Sequence, residues 1–332
     1  MKLKSYFCRK LLIMKKLFGL LSLLFLINSC DDGDVAIQDI SFENAAGAIC
    51  GNLAYKIKGN EVLIINFADI KKAFKDDQTI AKEPISLNIA DGNSVTYRAY
   101  NDVPAASNFC GALPPALPIV VEEWIATGGT IEITSTISKT TSIATTGNTN
   151  QETIDGYNQL IILRNVTFKK PNGDQFYEEF RFGTIKTNFS QLNFDLFKVE
   201  SIEKCGGIIY NLTSKIGTTN LISIDNISEL TPNVITTVGS PRIAVISANT
   251  NLYYRVFEGL NQTNYKCKTS YLATDPTLKQ EWKATSGTIE VNTEKIGAKY
   301  IHKVSLKSVK LKKGNSQFNL GDDFELGKIE TQ

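Results

Sequence analysis

Residues 95–100 and 252–257 read Val-Thr-Tyr-Arg-Ala-Tyr and Leu-Tyr-Tyr-Arg-Val-Phe. Aromatic and β-branched side chains fit a pleated, half-buried surface, so both stretches predict strands. Gly129 to Ile137, Gly287 to Asn292, Leu160 to Lys169 and Ile301 to Lys312 read the same way, bounded by Gly, Asn and Lys-Lys. In the last stretch Val304 and Leu306 alternate, and then Val309 and Leu311 alternate on the opposite parity. The same slip separates Leu163 from Val166. A slip of one residue turns the following side chains to the other face, so each of these strands predicts a bulge or bend. Between a cysteine and a tryptophan, Asp275-Pro276-Thr277-Leu278-Lys279-Gln280-Glu281-Trp282 has a capping Asp and Pro at the first helical position. It predicts a short helix.

The same polar and apolar pattern occurs twice. Residues 122–132 (EEWIATGGTIE) return as 280–290 (QEWKATSGTIE), with Glu, Trp, Ala, Thr, Gly, Thr, Ile and Glu preserved. Tyr97-Arg98 matches Tyr254-Arg255, and Phe180 to Thr187 resembles Phe324 to Thr331. The chain is a tandem duplication, read from internal similarity alone. Four cysteines outside the N-terminal region allow three pairings. The duplication favours Cys50–Cys110 and Cys205–Cys267, one bridge per repeat. Close-spaced cysteine pairs are absent, which argues against a zinc site. Ser138 to Thr153 is rich in Thr, Asn and Gly, has no counterpart in the second repeat, and reads as a long exposed hairpin loop.

Residues 1–29 carry six cations and no carboxylate, and an apolar run of Leu17 to Ile27 follows Lys15-Lys16. That run is too short to span a bilayer and suits a signal-peptide core. Met14 would itself make a compact start. The sequence Leu26-Ile27-Asn28-Ser29-Cys30 resembles the lipobox of bacterial lipoproteins. That resemblance implies that Cys30 carries the lipid and becomes the mature N-terminus. Asp31, Asp32 and Asp34 follow directly and resemble the acidic export signal of Bacteroidota-type lipoproteins. This second resemblance implies passage to the outer face of the outer membrane; without that signal the protein would face the periplasm.

Composition narrows the function classes. The 332 residues are 42% hydrophobic and 21% charged, which excludes a disordered chain, a collagen and a coiled coil. Without residues 1–29 the chain has 30 basic and 34 acidic residues, net −4, so no nucleic-acid footprint remains. The charge is uneven: residues 30–199 are net −7 and residues 200–332 net +3. His302, the single histidine, reads as a surface residue whose counterpart is Gln159. Glu132, Glu290, Glu178-Glu179 and Asp322-Asp323 recur in both repeats, but adjacent residues on a strand face opposite ways. They read as acidic turns rather than acid/base couples. Trp124 and Trp282 read as core anchors. Lys303, Lys307, Lys310, Lys312 and Lys313 read as guards on an exposed edge strand.

The expected organisation is a signal peptide at 1–29, a lipidated cysteine and tether at 30–45, repeat one at 46–190, a linker at 191–204 and repeat two at 205–332. The expected fold is mostly β, two tandem homologous β-sandwich (Ig-like) domains, each with a short helix. Phe189, Leu192, Phe194, Leu196 and Phe197 are expected to pack between them. No catalytic residue, metal ligand or cofactor site is assigned. The expected function is a non-enzymatic surface lipoprotein that binds or adheres to a glycan or an envelope protein, the membrane being reached through the lipid anchor. The alternatives are a structural subunit of an envelope assembly and a carboxylate-dependent hydrolase.

Overall fold

In the computed structural model, described residues are 40–80, 82–142, 148–188, 192, 202–215, 217–259, 267–268, 271–272 and 275–332. The protein is mostly β, with two multistranded antiparallel sheets. The first holds β1 (Gly47–Cys50), β2 (Leu53–Lys58), β3 (Glu61–Asn66), β4 (Ile85–Asn88), β5 (Ser94–Tyr100), β6 (Val120–Ser142), β7 (Gln151–Lys170) and β8 (Gly173–Thr187). Its order is β1-β2-β3-β5-β6-β7-β8, with β4 beside β5 on the same edge of β6. The second holds β9 (Glu203–Cys205), β10 (Ile208–Lys215), β11 (Thr218–Ile224), β12 (Arg242–Val245), β13 (Leu252–Glu258), β14 (Leu278–Ile296), β15 (Lys299–Lys313), β16 (Ser316–Asn319) and β17 (Asp323–Thr331). It repeats the plan of the first, with β12 on β14 and with β16 and β17 sharing β15.

The parity slips are bulges. Asn165 and Ser308 take positive φ where the alternation changes, and opposite them Gly129 and Gly287 have φ of 115° and 119°. A Cβ on Gly129 would lie 2.7 Å from the Arg164 carbonyl oxygen, and one on Gly287 would lie 2.8 Å from the Val309 Cα. Only glycine fits a backbone approach that close. The bulge lets Leu163 and Val166, and likewise Leu306 and Val309, all reach the interior.

Trp124 and Trp282 are fully buried. Each indole N–H donates two residues back along its own strand, to Glu122 Oε1 at 2.7 Å and to Gln280 Oε1 at 3.0 Å. The ammonium groups of Lys170 and Lys313 sit over these rings at 4.7 and 5.2 Å. Disulfides join Cys50 to Cys110 and Cys205 to Cys267, with Cα separations of 6.0 and 5.9 Å.

Three expectations are corrected. Residues 278–282 are not helical: β14 starts at Leu278, because Gln280, Trp282 and Ala284 are buried at a spacing of two. The helices described are α1 (Ile70–Ala73), α2 (Ser107–Cys110) and a 3-10 turn at Ser228–Leu230. Residues 138–142 and 151–153 are not loop but paired strand ends that lengthen the β6–β7 hairpin. The lysine-rich strand β15 is no edge, since β14 flanks it on one side and β16 and β17 on the other.

Cys30, Asp31, Asp32 and Asp34 lie outside the described residues, as do Phe189, Phe194, Leu196 and Phe197. Leu192 is described, and it is buried in the core of the second sheet.

Candidate functional site

Each sheet buries a polar cluster at an equivalent place. In the second, His302 is fully buried, a correction to its reading as a surface residue. Its Nδ1 and Nε2 each lie 2.8 Å from a hydroxyl, Thr293 Oγ1 and Thr331 Oγ1. Arg242 also donates to Thr293 Oγ1 at 2.8 Å. Burial holds the imidazole below its usual pKa, and the charges of Arg242 and Lys204 press the same way. In the first sheet, Gln159 takes the histidine's place and donates to Thr187 Oγ1 at 3.1 Å. The two clusters share a bracing loop as well: Thr79 N donates to the Ser135 carbonyl at 3.0 Å, and Thr236 N to the Thr293 carbonyl at 2.9 Å. A neutral histidine with two hydroxyl partners and no exposed surface is a core group, with no access for a substrate.

The repeated carboxylates form ion-pair rows across the strands. Glu132 receives Arg164 Nε at 2.9 Å, and Arg164 also binds Glu179, which Arg181 binds at 2.9 Å. The hydrogen bonds from Arg164 and Arg181 hold the Glu179 carboxyl below the usual carboxylate range. In the second repeat Lys307 stands between Glu290 at 3.8 Å and Asp323 at 2.6 Å. Glu–cation–carboxylate is therefore a cross-strand device that occurs in both repeats. Lys303 pairs with Glu325 at 2.9 Å in the same manner.

The chemistry that sequence reading missed lies between the two repeats. The Asp77 carboxylate accepts from Asn315 N at 3.0 Å, Ser316 N at 2.9 Å and Ser316 Oγ at 2.6 Å. Gln78 Nε2 donates to the Asn315 carbonyl at 2.6 Å. An anion thus caps the amides of the β15–β16 turn. Gly314 makes that approach possible, since a Cβ there would overlap Asp77 Oδ2.

The tip of the β6–β7 hairpin grips a second place. Asn148 Nδ2 donates to the Leu320 carbonyl at 3.0 Å, and Thr149 Oγ1 and Asn150 Nδ2 donate to Asp322 Oδ2 at 2.6 and 2.7 Å. These contacts fall at residues 320–322, between β16 and β17. Ile154 of the same hairpin is buried in the core of the second sheet.

Hairpin and second sheet together line a half-open cleft of ≈ 380 Å³. Thr141, Asn150 and Glu152 line it from one side, and Ser308, Lys310 and Asn319 from the other. Glu152 is held in place by Lys139 at 2.9 Å and by the Asn319 N–H at 2.7 Å. Lys310 has no ion pair among the described residues. The lining offers hydroxyl, amide, carboxylate and ammonium groups, a set suited to a hydroxyl-rich ligand.

No family model, curated protein or solved structure matches this chain. Its internal repeat is therefore the comparison that bears on the site. Among the described residues, no group of three or more His, Cys, Asp or Glu is placed to hold a metal ion. The hairpin was singled out in the sequence by its lack of a counterpart. Asp77, Gln78 and the β15–β16 turn gave no such signal, because their roles depend on a partner about 240 residues away.

Proposed function

We propose that the protein is an outer-membrane lipoprotein, displayed on the cell surface through Cys30, that binds a glycan without turning it over. The binding place is the polar cleft between the hairpin and the second sheet. The observation that carries this reading is the cleft's lining, in which Lys310, without an ion pair among the described residues, is joined by Thr141, Asn150, Ser308 and Asn319. A cleft of ≈ 380 Å³ suits one or two sugar rings held by hydrogen bonds.

The domains are read as two β-sandwiches, each made by one sheet curling over itself. The Gly47 position on β1 against Ile185 on β8 supports this, as does the bond from Asn211 Nδ2 to the Leu326 carbonyl at 2.8 Å. The near-sequential strand order favours such a curl over an immunoglobulin crossover.

The test is capture of the full-length chain, kept in mild detergent, on an array of cell-surface glycans, followed by titration calorimetry. Lys310→Ala and Asn319→Ala are expected to weaken binding about tenfold each, equivalent to ~1.4 kcal/mol, with thermal unfolding unchanged. Absence of any captured glycan overturns the reading, and so does an affinity that both variants leave intact. Protease shaving of intact cells tests the location: the mature chain is expected to disappear before the outer membrane is breached.

A further inference from the structure

The loops that carry the second cysteine of each repeat differ in charge. Residues 103–121, around Cys110, hold no charged side chain, whereas Lys266, Lys268, Asp275 and Lys279 fall in the equivalent stretch around Cys267. The spacing that sets Trp124 on Trp282 also sets Leu117 on Asp275 and Val121 on Lys279. In repeat two both positions make ion pairs, Asp275 with Lys268 at 2.5 Å and Lys279 with Glu258 at 2.9 Å. In repeat one they are apolar and open to solvent: Leu117 is 69% and Val121 61% exposed, with Leu113 at 92%, Val103 at 64% and Ile119 at 52%. Single exposed apolar residues are ordinary, but a run of them without one charge marks a contact surface.

The loop is held in shape without burying these side chains. Cys110 is tied to Cys50, and Phe109 packs on Tyr55 with ring centroids 4.7 Å apart. Asn108 Nδ2 donates to the Leu117 carbonyl at 3.0 Å, and Asn101 Oδ1 accepts from Ile119 N at 2.9 Å. Bonds of this kind satisfy loop backbone from within, which lowers the cost of contact with a medium that offers no hydrogen bonds. The chain's own N-terminal segment enters on the same side. Lys56, two residues before the end of β2, donates to the Phe42 and Glu43 carbonyls at 3.1 and 2.9 Å. Asn60, in the turn that follows β2, donates to the carbonyl of Tyr100, the last residue of β5 before the loop, at 2.7 Å. The stretch from Cys30 to Phe42 can span at most about 40 Å, so a lipid on Cys30 keeps this end of repeat one within reach of the bilayer.

We propose, on the reading of Cys30 as the lipidated residue, that this loop is a second membrane contact. Leu113, Leu117, Ile119 and Val121 sit at the boundary of acyl chains and headgroups in the bilayer that holds the anchor. Asp102 and Glu122 bound the uncharged run and stay in the watery layer. The contact adds apolar burial to that of the lipid and fixes which end of repeat one faces the membrane. Repeat two, with charges at the matching positions, makes no such contact.

Fluorescence quenching of the chain purified from cells tests it, after reconstitution into vesicles of phosphatidylethanolamine and phosphatidylglycerol with brominated acyl chains. Leu113→Trp places a reporter in the loop, and Val238→Trp places one at a fully exposed position of repeat two; Trp124 and Trp282 are buried and give a constant background. The Leu113→Trp indole is expected to lose about half its emission to bromines at the ~5–10 Å depth of an interfacial segment, while the Val238→Trp indole loses none. Adding Leu117→Asp and Val121→Lys, the residues of repeat two, is expected to abolish the loss at Leu113→Trp. All these positions are exposed, and an unchanged thermal midpoint shows that each variant is folded. Mass spectrometry of the same preparation reads the state of Cys30. A lipidated chain with no quenching at Leu113→Trp, or with equal quenching at Val238→Trp, overturns the membrane contact alone. A chain without lipid on Cys30 overturns the anchor reading and the contact with it.

Discussion

At the scale of the residue, His302 and Gln159 show one backbone site filled in two ways. Both side chains are fully buried and each bonds a threonine at the end of its sheet. The histidine alone can take up a proton, and its folded-state pKa lies below the ordinary value near 6.5. The unfolded chain therefore binds more protons than the folded one in this range, and stability falls as pH drops below about 6.5. Urea unfolding between pH 7.5 and pH 5 is expected to show this loss, and His302→Gln, which installs the first repeat's residue, is expected to reduce it. Equal pH slopes for the two proteins would remove His302 as the cause. The buried tryptophans show the same economy. Trp124 and Trp282 spend their N–H groups within their own strands, so their rings remain free to pack.

At the scale of the element, the long hairpins depend on their bulges. Gly129→Ala and Gly287→Ala place a Cβ against backbone atoms at a positive φ, and each is expected to cost more than about 1 kcal/mol. Gly128→Ala is the control: nothing lies within 4 Å of a Cβ there, so its chemical denaturation midpoint is expected to stay at or above that of wild type. A comparable loss at Gly128 would assign the effect to strand flexibility rather than to the bulge. The disulfides act between elements, tying β1 to α2 in the first repeat, and join cysteines 60 and 62 positions apart. Replacing either pair with alanine is expected to lower stability by about 2–5 kcal/mol, measurable as a shift in the urea midpoint.

At the scale of the molecule, residues 41–332 form one compact unit although the sequence reads as two repeats. The Asp77 cap and the docked hairpin account for this, since both bind the second repeat through backbone groups that would otherwise face water. Asp77→Ala leaves three donors of the turn without their acceptor and is expected to cost about 1–3 kcal/mol. Hydrogen exchange is the sharper measure: the Asn315 and Ser316 amides should lose protection while the interior strands keep theirs. Unchanged exchange at those two amides would show that the cap does not hold the repeats together. The same docking bonds the hairpin tip to the second repeat and places Asn150 and Glu152 in the lining of the cleft. In the proposed reading, ligand selection is a property of two repeats acting together rather than of a free loop.

Sequence by itself determined the periodicity, the duplication, the pairing of the cysteines that the structure joins, and the places where each long strand must bulge. Those features are local, or are written twice, so pattern alone exposes them. The proposed lipid anchor rests on a sequence resemblance alone, on residues outside those described. Tertiary structure decided the rest. Leu278–Trp282 became strand because pairing with β13 and burial of Gln280 and Trp282 outweigh a capping Asp and a well-placed Pro, whose contributions are of the order of 1 kcal/mol. His302 became a core group because the hydroxyls that satisfy it come from two other strands. Asp77 became an interface residue because its acceptor oxygens meet a turn about 240 residues away. No window of sequence carries that information, since the energy of a polar contact depends on which distant partner the fold brings to it.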